Sequence, residues 1–397
     1  MPSLSESNLF KPIQVGDVVL KTRLAHAPTT RVRATSDGVS TDSMLEYYSE
    51  RAKNNGGLII FEGTSPAKSF GGYQYQPFLE TKRQVESQKK IVDAIHRNGS
   101  YVSSQLVHLG RTSLPLGKAV YFPFVGPSAI YVDDANKAAA KALGVELRAL
   151  TKDEIKEIIK GFADGAKRAI NEAGFDFVEL HGAHMFLIDQ FIQSSSNQRT
   201  DEYGGSIENR ARFVLEVVDA CIEAVGANHV AVRFSPYAEI QGGLGKNSEV
   251  SPILIWGYIF NQLQNRADKG KQLAYISVVE PRIQGDAEGD ENDKIDFSWP
   301  RLFWKGVLLR SGAFINENHQ EKLEQAINSD DKLIIGAGRY YTSNPDLADR
   351  LKRGLSLTPY DRSTFYKAFS NDGYLDFQPY GKEEDHTKDD VEPKPLA

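Results

Sequence analysis

A chain of 397 residues, 40% hydrophobic and 25% charged, is long enough for one large domain or two, and its net charge of -6 leaves no electrostatic footprint for nucleic acid or an anionic membrane. A single cysteine, Cys221, excludes an intramolecular disulfide framework, and no run of about 18 apolar residues exists to cross a bilayer. The N-terminus, MPSLSESNLFKPIQVGD, has no basic segment followed by an apolar one, so a cytoplasmic protein is expected, monomeric or homodimeric.

In chain order, residues 13–20 carry apolar runs on either side of Gly16-Asp17, a strong hairpin signal, and this hairpin is expected to plug one end of the fold. Short apolar strands then alternate with amphipathic helices, the strands falling at 24–27, 58–61, 101–106, 175–180, 230–234, 275–279, 307–310 and 333–335. Eight parallel strands joined by right-handed crossovers close without edges. The expected fold is therefore α/β: a single-domain (β/α)8 TIM barrel with an N-terminal β-hairpin cap and long loops on the C-terminal face. Helix ends support the alternation. Asp42 is expected to open a helix over 43–53; Thr151 and Glu154 form a capping box ahead of 155–173, with Gly174 as the stop; Ser206 opens a helix to 225. Asn344-Pro345 is expected to start a short helix that Gly354 ends, with proline at the first helical position. Two connections are too long for plain turns: 107–150, rich in proline, and 281–300, acidic and expected to form a mobile flap. The barrel is expected over 1–380 and a disordered acidic tail over 381–397.

Barrel enzymes confine chemistry to the ends of the strands from which the βα loops spring. Those positions hold Pro28-Thr29-Thr30-Arg31, Glu62-Gly63, Gln105, His181 with His184, Arg233, Glu280, Gly312-Ala313 and Gly338-Arg339. Glycines in the last two loops let backbone N–H groups approach a phosphate that Arg339 can clamp bidentately. Gln105 offers a donor and an acceptor to the edge of a flat heterocycle, and Arg233 beside it can stabilise an anion on that ring. An Arg inside a strand needs a partner; Glu62 or Glu280 is the structural alternative. His181 and His184, three apart past a strand end, can each donate one hydrogen bond into a shared pocket, and no Cys, His or carboxylate at ligand spacing joins them to hold a metal.

These residues, with the string Asn197-x-Arg199-x-Asp201-Glu202-Tyr203-Gly204-Gly205-Ser206-x-Glu208-Asn209-Arg210, resemble the Old Yellow Enzyme family of FMN-dependent ene-reductases over nearly the whole chain. The resemblance implies FMN as cofactor, NADPH or NADH as hydride donor, and an α,β-unsaturated ketone or aldehyde as the small-molecule substrate. It implies that Pro28, Thr29, Thr30 and Gly63 flank the flavin, that Gln105 and Arg233 hold its pyrimidine side, and that Gly312, Ala313, Gly338 and Arg339 hold its phosphate. His181 and His184 would bind the substrate carbonyl and polarise the alkene for hydride from flavin N5, while Tyr73, Val107, Phe297 and Tyr366 would line the substrate side.

Two positions depart from the family pattern. The tyrosine that protonates the α-carbon is replaced by Phe186, and a bulky tryptophan of many yeast relatives by Val107. Three outcomes follow from Phe186: water, Tyr73 or Tyr366 supplies the proton of a working reductase; an unprotonated intermediate returns its hydride, giving a redox-neutral isomerase; or the acceptor is a quinone or nitro compound that needs no α-carbon acid. Against these stands a barrel that binds a phosphorylated ligand without redox chemistry. A lyase of that kind would need a strand-end lysine, and these strand ends carry none.

Overall fold

Apolar runs of three to six residues form eight parallel strands, Leu24–His26, Leu58–Ile60, Tyr101–Leu106, Phe177–Gly182, Val230–Phe234, Tyr275–Val279, Leu308–Ser311 and Leu333–Ala337. Each pairs with the next in sequence and the eighth pairs with the first, so the sheet is a closed barrel, as expected. The computed structural model describes residues 2–53, 55–114, 124–281, 283–284, 287–288, 295–316 and 320–397. Of the 281–300 flap, the described residues include a small two-stranded ribbon, Ile283–Gln284 with Ala287–Glu288; the rest of its acidic centre lies outside them.

The hairpin Ile13–Val15 and Val18–Leu20 turns at Gly16, whose φ of 50° suits glycine. Its Ile13, Val15 and Leu20 pack on Ala25, Leu58, Ile60, Phe177, Ala231, Tyr275, Leu309 and Ile334, which makes it the plug at the N-terminal end of the barrel. The alternate residues of the same strands, among them Val102, Val178, Leu180, Val232, Ile276 and Ile335, face the helices and form the larger core with them. Cys221 belongs to that core, where burial pushes its thiol up to about 12, consistent with an inert packing residue.

Helix ends differ in detail from the sequence expectation. The first helix is Asp42–Ala52, capped by Thr41 rather than Asp42, because the Thr41 hydroxyl reaches the Met44 N–H. The capping box at Thr151 and Glu154 is present, but the helix behind it is α-helical over Lys152–Lys167 and π-helical over Arg168–Ala173 before Gly174 ends it at φ 82°. Pro345 is not the first helical residue. Asn344 spends its side chain on the Tyr340 and Thr358 carbonyls, and the helix begins only at Leu347, ending at Gly354.

Residues 381–397 make contacts along the barrel surface. Pro395 bridges Thr41, the Leu396 N–H donates to the Ser40 carbonyl at 3.0 Å, and Lys388 pairs with Glu46. His386 stands 2.8 Å from Asp389 and 3.8 Å from Asp376, so local charges are paired rather than repelling. The Asn371 amide donates to the Lys388 and Val391 carbonyls, joining tail to the loop at 364–376. Truncation after residue 380 is expected to lower Tm by about 3–6 °C, the equivalent of a few net hydrogen bonds at about 1 kcal/mol each. An unchanged melting curve by calorimetry would show that these contacts are incidental.

Candidate active site

Above the apolar floor, period-2 alternation turns polar residues inward at the C-terminal mouth: Ser103 and Gln105 on the third strand, Glu179 and His181 on the fourth, Arg233 on the fifth and Ser277 on the sixth, all buried. Strand register sets Gln105 beside Glu179 and His181 beside Arg233. Gln105 Nε2 donates to Glu179 Oε1 at 2.7 Å. Burial lowers the pKa of Arg233 and raises that of Glu179, and each opposes the other's shift by its charge. Glu179 is thus the counter-charge of Arg233. Glu62 and Glu280 are committed elsewhere: Glu62 Oε2 accepts the Arg31 and Val32 N–H groups at 3.1 and 3.3 Å, and Glu280 Oε1 accepts from Arg310 Nε at 2.6 Å. Sequence inspection passed over Glu179, although an acid two residues before His181 in an apolar strand was the available signal.

Thr30, Gly63, Gln105 and Val107 meet at one place. A Cβ built on Gly63 would lie 3.5 Å from Val107 Cγ1, 3.6 Å from Gln105 Oε1 and 3.9 Å from Thr30 Oγ1, so glycine leaves that corner open. Gln76, also missed from sequence, fixes it by donating to the Gly63 carbonyl at 2.8 Å while accepting the Tyr73 N–H at 2.9 Å. On the opposite side a Cβ at Gly338 would stand 3.3 Å from Thr29 Cγ2, which brings the loop beginning at Pro28 against the last strand end. At Gly312 a Cβ would fall 2.5 Å from Glu280 Oε2, so a side chain there would displace that carboxylate; Ala313 follows at φ 54°. Arg339 opens the helix Arg339–Ser343 and approaches the Tyr360 hydroxyl at 3.3 Å.

The two histidine rings lie 5.8 Å apart at 69°. His181 Nδ1 accepts the Ala183 N–H at 3.4 Å, which leaves Nε2 to carry the ring proton. Burial first, and then the charge of Arg233, push both histidines down, His184 to about 3, so both rings are neutral donors in neutral solution. His184 Nε2, Arg233 Nε and Thr29 Oγ1 are buried without a hydrogen-bond partner among the described residues. Each such atom costs roughly 1–3 kcal/mol when left unmet, so their convergence on one mouth marks a site built for a polar ligand.

Phe186 places its ring 4.6 Å from that of His181 at 78°, with no exchangeable proton. Tyr73 is hydrogen-bonded by Thr112 and lies near Tyr366; burial pushes its phenol up to about 12. Tyr366 itself is 55% exposed. Its loop is clamped by Arg31, which donates to the Phe365 and Gly373 carbonyls at 3.1 and 2.7 Å, and by Arg33, which donates to those of Phe365 and Ser370, both at 2.8 Å. Phe297 is buried against Tyr237 and Trp299, with centroids 5.9 and 5.8 Å away. It is more deeply packed than a residue that only lines a pocket.

The profile of the NADH:flavin oxidoreductase / NADH oxidase family matches residues 8–358. The crystal structure of Old Yellow Enzyme from Pichia sp. AKU4542 superposes with a TM-score of 0.94 at 53% identity, covering 99% of this chain and 100% of that one. A probable NADPH dehydrogenase of Candida albicans is 44% identical over 99% of this chain and 95% of its own length. Enoate reductase 1 of Kluyveromyces lactis is 39% identical over 95% of each. Among the described residues no helix is long and apolar enough to cross a membrane.

Proposed function

The chain belongs to the NADH:flavin oxidoreductase / NADH oxidase family, and from that premise we propose that it reduces the activated C=C bond of α,β-unsaturated ketones and aldehydes. Membership makes it an NAD(P)H-dependent flavin enzyme with FMN as cofactor. The observation that carries the finer proposal is the pair of neutral histidines beside Arg233, His181 buried and His184 half-buried with its Nε2 unmet.

The residues fit the cofactor. The unmet Arg233 Nε and the open corner at Thr30, Gly63 and Gln105 suit the pyrimidine edge of a flavin, while the preceding Pro28 and Thr29 belong to the loop that meets Gly338 across the mouth. The backbone of Gly312, Ala313 and Gly338, with the Arg339 guanidinium, suits its phosphate. FMN held there would supply the hydride for reduction of the alkene. His181 and His184 hold the carbonyl oxygen and stabilise the negative charge that develops there. Val107, Phe297, Tyr73 and Tyr366 shape the substrate side. Phe186 gives no proton, so water or the Tyr73 hydroxyl delivers it to the α-carbon; a phenol held near 12 stays protonated and able to donate.

Incubation with NADPH and an unsaturated aldehyde is expected to give the saturated aldehyde, one NADPH consumed per product. An isomerised product with no NADPH consumed would replace this proposal by the redox-neutral one. Phe186→Tyr is expected to speed enone-dependent flavin reoxidation by roughly tenfold, less than a positioned acid usually contributes because solvent already shares the task. If stopped-flow finds no gain while flavin stays bound, position 186 does not face the α-carbon.

A further inference from the structure

His184 and Met185 both adopt positive φ, 56° and 59°, a conformation that costs an L-residue roughly 1–2 kcal/mol. Two such residues in succession persist only where their surroundings over-determine them. Four side chains do so here. Ser235 Oγ accepts the His184 N–H at 2.7 Å, Gln241 Nε2 donates to the His184 carbonyl at 2.8 Å, Gln190 Nε2 donates to the Met185 carbonyl at 2.6 Å, and Asp189 Oδ2 accepts the Met185 N–H at 2.9 Å. Three of these groups are neutral, and Asp189 alone of the four is a carboxylic acid. It is wholly buried, its other oxygen accepts from Gln193 Nε2 at 3.3 Å, and the charged group facing it is Arg111. Burying an acid is costly, and a donor left without it would be a buried, unmet N–H inside a strained turn.

We infer that Asp189 is a positioning residue for the carbonyl clamp: by accepting the Met185 N–H it locks the left-handed His184–Met185 turn and so holds the His184 imidazole at the pocket. The inference rests on the proposed role of His184 as a substrate donor. Nothing in it requires Asp189 to touch substrate. Its acceptor oxygen matters, and an asparagine, whose side-chain oxygen can take the same N–H, should substitute.

The test uses the FMN-loaded enzyme in its oxidised form and cyclohexenone as the probe, with dissociation constants read from the flavin absorbance change and FMN content and Tm measured alongside. Asp189→Ala is expected to weaken cyclohexenone binding by roughly tenfold with FMN retained, and Asp189→Asn to stay within about threefold of the parent. The double variant Asp189→Ala with Met185→Gly, in which glycine enters the turn without strain, is expected to recover part of the affinity and is read in place of the single variant should that not fold. An Asp189→Ala affinity within twofold of the parent, or an asparagine no better than alanine, overturns the inference. If His184→Ala leaves cyclohexenone binding unchanged, the proposed role of His184 itself falls; if it weakens binding while Asp189→Ala does not, only the positioning role falls.

Discussion

Arg233→Met is expected to give a colourless protein. Arg233 is buried at the mouth of the barrel, beside His181 in register and next to the strand that carries Glu179. Removing it leaves the Glu179 carboxylate buried without its counter-charge, and breaking a buried pair on one side costs about 3–5 kcal/mol. The same change removes the cation proposed to face the flavin's pyrimidine edge, so the folded fraction should be apoprotein. Absorbance near the flavin band per protein, with an FMN titration of the apoprotein, measures this. Glu179→Gln separates the two effects: it removes the negative charge but keeps a group able to bond Gln105, so it should retain FMN better than the methionine variant. A methionine variant that purifies with a full complement of FMN would put the pyrimidine edge elsewhere.

Replacing either histidine by alanine is expected to slow enone-dependent flavin reoxidation by roughly 10²-fold, the usual loss for one donor to a developing oxyanion, with FMN content unchanged. Both rings are neutral because burial and Arg233 hold their pKa values down. Lowering the pH from 8 to 6 should therefore not convert either into a charged donor. Asparagine keeps a neutral donor at the position, and His184→Asn is expected to retain most of the rate. Loss of FMN in the alanine variants would assign the pair to the cofactor, and unchanged reoxidation would remove it from the clamp.

Much of this site was legible before any coordinates. Strand alternation places a residue inside or outside the barrel from sequence alone, so Gln105, His181 and Arg233 could be assigned to the mouth. Glu179 follows the same rule but was hidden, because a single acid within an apolar run looks like noise until Arg233 is known to stand on the next strand. Gln76 and Asp189 were invisible for a different reason. Each acts on a backbone group, the Gly63 carbonyl and the Met185 N–H, and no residue pattern announces which backbone group in a loop is left unmet.

What the sequence by itself determined is the eight-stranded barrel, its hairpin plug and which end gathers the buried polar residues. Those depend on periodicity and on turn residues, which are local. Only the tertiary structure decided that Glu179 neutralises Arg233, that Arg31 and Arg33 clamp the loop of Tyr366, and that a buried acid secures the left-handed turn of His184. These are pairings between side chains and distant backbone or charge, and their partners are chosen by packing rather than by spacing along the chain.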